Sequence, residues 1–255
     1  MIEVYTLCSG SSGNALLVRS GDTAVLMDAG RSRRALLAAL SEAGVLPSEL
    51  AAVFVTHEHT DHISALAQLS KREGMPVHAA AGTADELMRD SAVSAVLVRH
   101  GVLFTERVGS LTVTSFPLPH DSASHVGYIF RDGDGDAFCA ATDVGCVTDA
   151  LRGALDGCRG ALLEANHDAE MLRCGPYPAY LKARILADTG HLSNADCARL
   201  ARYAAERGVL HIGLAHLSAE NNTSALAYGA VSAALAGTAV RTLVVCARSS
   251  LTRVM

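Results

Sequence analysis

The sequence predicts an α/β fold, one that can pack as two sheets face to face with helices outside. Two observations carry this. Short apolar runs of strand length alternate with segments of helical periodicity, and that strand-then-helix pattern occurs once in each half of the chain. Half of the 255 residues are hydrophobic, ample for a large core, and no linker, low-complexity tract or repeated motif interrupts them.

The elements follow in order. Val4–Leu7, Ala15–Arg19 and Ala24–Met27 read as short strands separated by Gly/Ser turns. Ser32–Ala43 sets Ala35, Leu36, Ala39, Leu40 and Ala43 on one helical face. Ala51–Val55 is an apolar run with the character of a buried strand, and Ser64–Arg72 a helix after it. Thr83-Ala84-Asp85-Glu86 has the form of a capping box. Leu111–Phe116, Gly127–Phe130 and Ala137–Ala141 are strands. The turn before the last, Asp132-Gly133-Asp134-Gly135-Asp136, superficially resembles a calcium loop. Its sixth position is Ala137 rather than Gly and its twelfth Asp143 rather than Glu, so a D-G hairpin turn is the better reading. Thr148–Leu155 is helical, Ala161–Glu164 a strand and Ala179–Ala187 a helix. Ser193-Asn194-Ala195-Asp196 is a second capping box, opening a helix to about Arg207. Val209–Ala215 is a strand ending at His216, Ser224–Leu235 a helix and Thr242–Ala247 the final strand.

The chemistry is concentrated in Thr56-His57-Glu58-His59-Thr60-Asp61-His62, directly after the strand Ala51–Val55. His57 and His59 alternate by two, so an extended backbone points both to one side. Neutral imidazoles with a hard carboxylate suit zinc, manganese or iron. A structural zinc site closes with four ligands, usually including thiolates. No Cys is near, and there are too many ligands for one ion. The pattern therefore points to two metals in an open, catalytic site.

Composition bounds the rest. No apolar run reaches the ~18–20 residues of a membrane span. Met1-Ile2-Glu3-Val4-Tyr5 has no basic region and no long apolar one, so no secretory signal is expected and the expected location is cytoplasmic, with no membrane partner. The seven cysteines form no C-x-x-C pair and read as reduced core thiols. The net charge of −5 is not the strongly basic balance of a tight nonspecific nucleic-acid binder, so any such contact needs a local patch. Arg31, Arg33 and Arg34 form one candidate, and Arg173, Lys182 and Arg184 another.

The motif resembles the H-x-H-x-D-H signature of the metallo-β-lactamase fold. Ser9-Gly10-Ser11-Ser12-Gly13-Asn14, Met27-Asp28-Ala29-Gly30, Pro119-His120-Asp121, Thr142-Asp143, Glu164-Ala165-Asn166-His167-Asp168, Gly190-His191-Leu192-Ser193-Asn194 and His216-Leu217-Ser218 followed by Asn221-Asn222 look like the WalJ/YycJ group, bacterial nucleases of that fold. The resemblance runs from the N-terminus to the last expected strand. It implies a four-layered αββα arrangement, which needs most of this length for one unit, so residues 1–255 are expected to form a single domain.

The resemblance also implies roles. His57, His59 and His120 would hold one divalent ion. Asp61, His62 and His216 would hold a second, with Asp143 bridging; Zn2+ or Mn2+ is expected, with Fe admitted. Two such ions can generate a hydroxide at neutral pH and clamp an oxyanion during displacement. Catalysis falls to Asp61, His191 and Glu164. His191 is similar to the proton-donating His of the tRNA 3′-end processing nuclease and Glu164 to the acid that orients it; a phosphodiester leaves as a basic alkoxide, so a proton donor helps. Asp28 would steer the metal-site loop by hydrogen bonds. Asn166 and His167 would bind substrate phosphate or its end. Ser11, Ser12 and Asn14 lie in a Gly-rich loop that could cradle a phosphate or simply turn a hairpin. His78, His100 and His211 are treated as structural or surface residues; His125, near His120, is a competing ligand that the resemblance passes over.

The function implied is hydrolysis of phosphodiester bonds, a DNA exonuclease in preference to one acting on RNA. A small-molecule phosphodiesterase, thioesterase or lactonase on the same fold is the competing reading, and a noncatalytic zinc scaffold a third. An open groove lined by Arg173, Lys182 and Arg184 would favour the first, a closed pocket the second.

Overall fold

The inward and outward residues of each central strand serve two different cores, which is why these strands read as unbroken apolar runs. In β4 (Leu50–Val55), for example, Ala52 and Phe54 face one layer and Val53 and Val55 another. The computed structural model describes residues 1–255. Its first sheet contains β1 (Ile2–Cys8), β2 (Ala15–Ser20), β3 (Thr23–Met27), β4, β5 (Val77–Ala80) and β6 (Leu97–His100). The second contains β7 (Thr105–Val108), β8 (Leu111–Pro117), β9 (Val126–Asp132), β10 (Ala137–Ala141), β11 (Gly160–Glu164), β12 (His211–Ala215) and β13 (Thr242–Val245). A short β14 (Thr252–Arg253) returns to pair with β1.

One apolar layer lies between the sheets. It is built from residues such as Val4, Leu16, Val25, Phe54, Val113, Tyr128, Phe130, Phe138 and Leu162. The other two lie between each sheet and its helices. On the first side Leu36, Leu40, Leu66 and Leu69 cover the sheet. On the second, Leu151, Cys197, Leu200, Ala201 and Val231 do so. The result is the four-layered αββα sandwich. β3, β4 and β5 run parallel, as do β10, β11, β12 and β13. Several strands of both sheets therefore end on one rim, where ligands gather in open α/β sheets.

Several expectations are corrected. Thr83-Ala84-Asp85-Glu86 caps nothing, because its helix begins earlier (Ala81–Leu87). The buried Thr83 hydroxyl donates instead to the Ser124 carbonyl at 2.7 Å. At Ser193 only half the box forms: its Oγ accepts from Asp196 N–H and donates to the Asp196 carboxylate, and the helix runs Asn194–Glu206. β5, β6, β7 and β14 and the helix Ala169–Cys174 were not expected. They are two to six residues long and lack a clean apolar period. The Asp132 turn is a hairpin, its carboxylate accepting from Asp134 and Asp136 N–H. All seven cysteines are free, five of them buried. No helix is long and apolar enough to cross a membrane.

Candidate metal centre

The site is assembled at strand ends. Asp28 follows β3, His57 lies two residues beyond β4, Asp143 two beyond β10, Glu164 closes β11 and His216 follows β12. His120 sits in the loop between β8 and β9. Asp28, Asp143 and His216 have φ of 63°, 57° and 56°, and they alone among non-glycine residues have positive φ. Left-handed backbone costs a side-chain-bearing residue of order 1–3 kcal/mol and persists where surrounding structure over-determines it. Here the turn aims each side chain inward from its strand. Gly30 allows the close approach that braces the motif: a Cβ there would lie 1.6 Å from the Asp61 carbonyl. Around it Ala29 N–H donates to His62 O and Asn14 N–H to Asp61 O.

Seven expected residues come together as two groups. His57, His59 and His120 present ligand atoms within 4.8 Å of one another, and so do Asp61, His62, Asp143 and His216. The protein engages the outer nitrogen of four imidazoles. His62 Nδ1 donates to Asp28 Oδ2 at 2.7 Å, His216 Nδ1 to Glu164 Oε1 at 2.8 Å and His120 Nδ1 to the Gly190 carbonyl at 3.2 Å. His57 Nδ1 meets Thr56 Oγ1 at 3.0 Å. Asp28 also accepts from Thr56 N–H and Oγ1, so it fixes strand end and ring together. Such partners set tautomer and aim, and leave Nε2 for a metal. His57 Nε2 is buried with no hydrogen-bond partner, an unfilled donor site of the kind a cation completes.

The electrostatics agree. Burial works against charge on His62, yet Asp143 and Asp28 hold its pKa well above the usual imidazole value. Burial likewise opposes charge on His216, but Asp143, Asp61 and Glu164 raise it to about 10. Burial would raise Asp143, and the surrounding imidazoles pull it well below the carboxylate range instead. The buried carboxylates demand positive charge at this point. Imidazole nitrogens with carboxylate oxygens form a donor set suited to divalent cations.

Beside the second group stands His191, its Nδ1 2.8 Å from Glu164 Oε1. That same oxygen accepts from His216, and the other carboxylate oxygen accepts from Val144 and Leu192 N–H. Burial would raise the Glu164 carboxyl, but His191 and then His216, by charge and hydrogen bond, hold it at about 2. Burial would lower His191, and the Glu164 carboxylate raises it.

A cavity of about 250 Å3 opens over the cage, bordered by Ser11, Asp121, Asn166, Tyr177, Arg184 and His191 among others. A second, of about 690 Å3, lies on the other side of His191 and reaches His167, Arg152, Arg199 and Tyr203. His167 is buried there with both ring nitrogens unpartnered. The remaining expected residues divide. Ser11 borders the smaller cavity, whereas Ser12 is exposed and meets Arg31. Asn14 differs from a phosphate cradle: it is buried, its amide bonded to Gly10 and to Asp61 and His62. Asn166 holds the His216 carbonyl at 2.9 Å. Arg184 borders the cavity but is paired with Asp121, and Lys182 Nζ donates to the Arg173 carbonyl, so the patch is not three free cations. In the other patch Arg33 is paired with Glu73. His125 enters neither ligand group; its Nε2 donates to Thr142 O. Thr56, Gly190 and Ser9, whose Oγ accepts from His216 N–H, were missed by the sequence reading. All three stand in segments that carry the motif or the resemblance, and that place was their only signal.

Two seven-stranded sheets carrying this cage at one rim define a member of the β-lactamase superfamily, and the family model described as "Beta-lactamase superfamily domain" matches residues 23–213. The chain is 36% identical over 226 residues to exodeoxyribonuclease WalJ of Streptococcus pneumoniae, covering 87% of this chain and 84% of the relative. It is 35% identical over 238 residues to exodeoxyribonuclease YycJ of Bacillus anthracis, covering 92% and 89%. It belongs to the WalJ/YycJ family of metallo-β-lactamase-fold hydrolases. Among solved structures, YhfI of Bacillus subtilis superposes with a TM-score of 0.74 at 18% identity, covering 99% of both chains. The short form of human tRNase Z does so at 0.69 and 16%, again over 99% of both. Both share the fold.

Proposed function

We propose that this chain is a dinuclear metal-dependent phosphodiesterase that degrades DNA from an end. His57, His59 and His120 would hold one divalent ion, Asp61, His62 and His216 the other, with Asp143 between them. Such ions supply Lewis acidity and acidify water at neutral pH. Asp28 and Thr56 aim the ligands. His191 gives a proton to the leaving oxygen, and Glu164 holds its Nδ1 and favours the protonated ring. Ser11, Asn166, His167 and Arg184 border the cavities where the substrate end and its phosphate would lie.

The observation that carries this reading is the Glu164–His191 pair at 2.8 Å beside the cage. A positioned acid is of most use to a poor alkoxide leaving group. The exodeoxyribonuclease names of the relatives support DNA as substrate. The test is His191→Ala. Cleavage of end-labelled DNA with Mn2+ should fall by roughly 10²–10⁴-fold, while a substrate with a nitrophenolate leaving group should lose far less. Equal losses, or loss of bound metal, would remove His191 from the proton-donor role. The net charge of −5 and the pairing of Arg184 with Asp121 favour a second reading, a small-phosphodiester hydrolase. Wild-type protein that cleaves only the small substrate, and no single- or double-stranded DNA or RNA, would select it.

A further inference from the structure

Outside the cage, a second set of metal-ligating side chains meets at the edge of the sandwich. Phe54 pairs with His78 across β4 and β5, and Ala80 with His100 across β5 and β6. Phe54 and Ala80 belong to the layer between the sheets, and cross-strand partners share a face, so both imidazoles point inward. From the other sheet Glu106 of β7 pairs with Val113, also a residue of that layer. The three side chains therefore converge from opposite sheets into a layer that is elsewhere mostly apolar. Their ligand atoms lie within 4.8 Å of one another, with His78 Nδ1 2.9 Å from His100 Nε2.

The rings are held in a column. His78 stacks on Phe54 at 4.6 Å and 14°, and His100 on Phe104 at 4.0 Å and 9°. Burial and then the neighbouring His100 hold His78 at about 4, so its lone pair is available at neutral pH. His78 is buried, while His100 and Glu106 are half-exposed and give an ion a way in.

From this geometry we infer that His78, His100 and Glu106 form a metal site separate from the catalytic cage, taking Zn2+ and pinning the edge of one sheet to the edge of the other. Two imidazoles and a carboxylate, with water as the fourth ligand, satisfy tetrahedral zinc. A site of these donors binds Mn2+ more weakly than Zn2+ by the usual order of divalent affinities. The inference does not depend on the catalytic reading.

The test is metal content after chelator stripping, reloading and desalting. With Zn2+, wild type should carry one equivalent more than His100→Ala, and Asp143→Ala one more than the double variant Asp143→Ala/His100→Ala. With Mn2+ the members of each pair should not differ. Zn2+ should raise the thermal midpoint of Asp143→Ala more than that of the double variant. Mn2+-supported turnover of His100→Ala should match wild type. If His100→Ala does not fold, Glu106→Gln at a half-exposed position replaces it in every arm. Equal zinc content in wild type and the folded variant overturns the site, and so does a variant that loses an equivalent of Mn2+ as readily as of Zn2+.

Discussion

His57, His62, Asp143 and His216 are at most 3% exposed, whereas the helix Ala179–Ile185 that borders the same cavity has no buried residue at all. Within it Tyr180 is 76% exposed, and Leu186, directly after it, is 62% exposed. The cage is positioned by strand ends and hydrogen bonds that leave no slack. The covering segment is anchored chiefly at its end, where His191 N–H donates to the Ile185 carbonyl and Gly190 O receives His120. A Cβ on Gly190 would lie 2.2 Å from Ile185 O, so only glycine closes that turn. On the proposed function, reaction chemistry and substrate choice would sit on parts of the chain with different tolerance to change. A rigid scaffold would hold the one, and an exposed segment that can vary without disturbing a core would carry the other.

The largest effect should follow from breaking the cage itself. Asp143→Ala removes the carboxylate between the two ligand groups, and turnover on DNA should fall by more than about 10³-fold, given the several kcal/mol that bound ions contribute. Metal content measured on the same sample should drop below wild type. Thr56→Val keeps the side chain's shape but deletes the hydroxyl between Asp28 and His57. Metal affinity or activity should weaken by about 10–100-fold, as for other groups that orient ligands; an unchanged affinity would mean that Asp28 alone suffices.

On the covering side, replacing Arg173, Lys182 and Arg184 by Ala should weaken DNA binding and flatten its dependence on salt, by a slope of roughly 0.9 for each phosphate no longer neutralised. Hydrolysis of a small chromogenic phosphodiester should be retained. A fall on both substrates would instead trace to the Arg184–Asp121 pair beside the cage.

The smallest effect concerns stability at the far edge. His78 is held at about 4, against about 6.5 in the unfolded chain. Between those values only the unfolded chain takes up this proton. In a chelator, the contribution of this one group to stability should therefore be level above pH 6.5 and fall as pH is lowered from about 6.5 to about 4. His100, lowered by burial, acts in the same direction, and the Glu106 carboxylate opposes it. His78→Leu should flatten part of this slope in urea melts taken across that range, and an unaltered slope would assign it to other groups.

The same contrast marks what could be read from sequence. The cage was legible because its residues either crowd into one motif or directly follow apolar runs such as Val209–Ala215, where strand ends fix direction. The direction of Asn14 was not, because the choice between a turning phosphate loop and a bond to Asp61 is made by a segment some fifty residues away. His78, His100 and Glu106 stand on four-residue strands too short to show a period, and their meeting depends on the register of two sheets. Arg173, Lys182 and Arg184 are close in sequence, but helix geometry and the Asp121 carboxylate, far off in the chain, decide which of them faces the cavity.

The three left-handed residues Asp28, Asp143 and His216 have a consequence for how this chain can change. Each occupies a backbone conformation that glycine would adopt without strain, and two of them bury a carboxylate that needs a proton donor or a cation beside it. At Asp143 and His216, which each keep an unpartnered buried polar atom, selection for thermal stability alone would therefore favour Gly or a neutral side chain over chemistry, whereas the three donors to Asp28 would keep it. Variants recovered from such a screen should cluster at the strand ends of the rim, folded more firmly and catalytically silent. Improvements compatible with turnover should come instead from the outer helices.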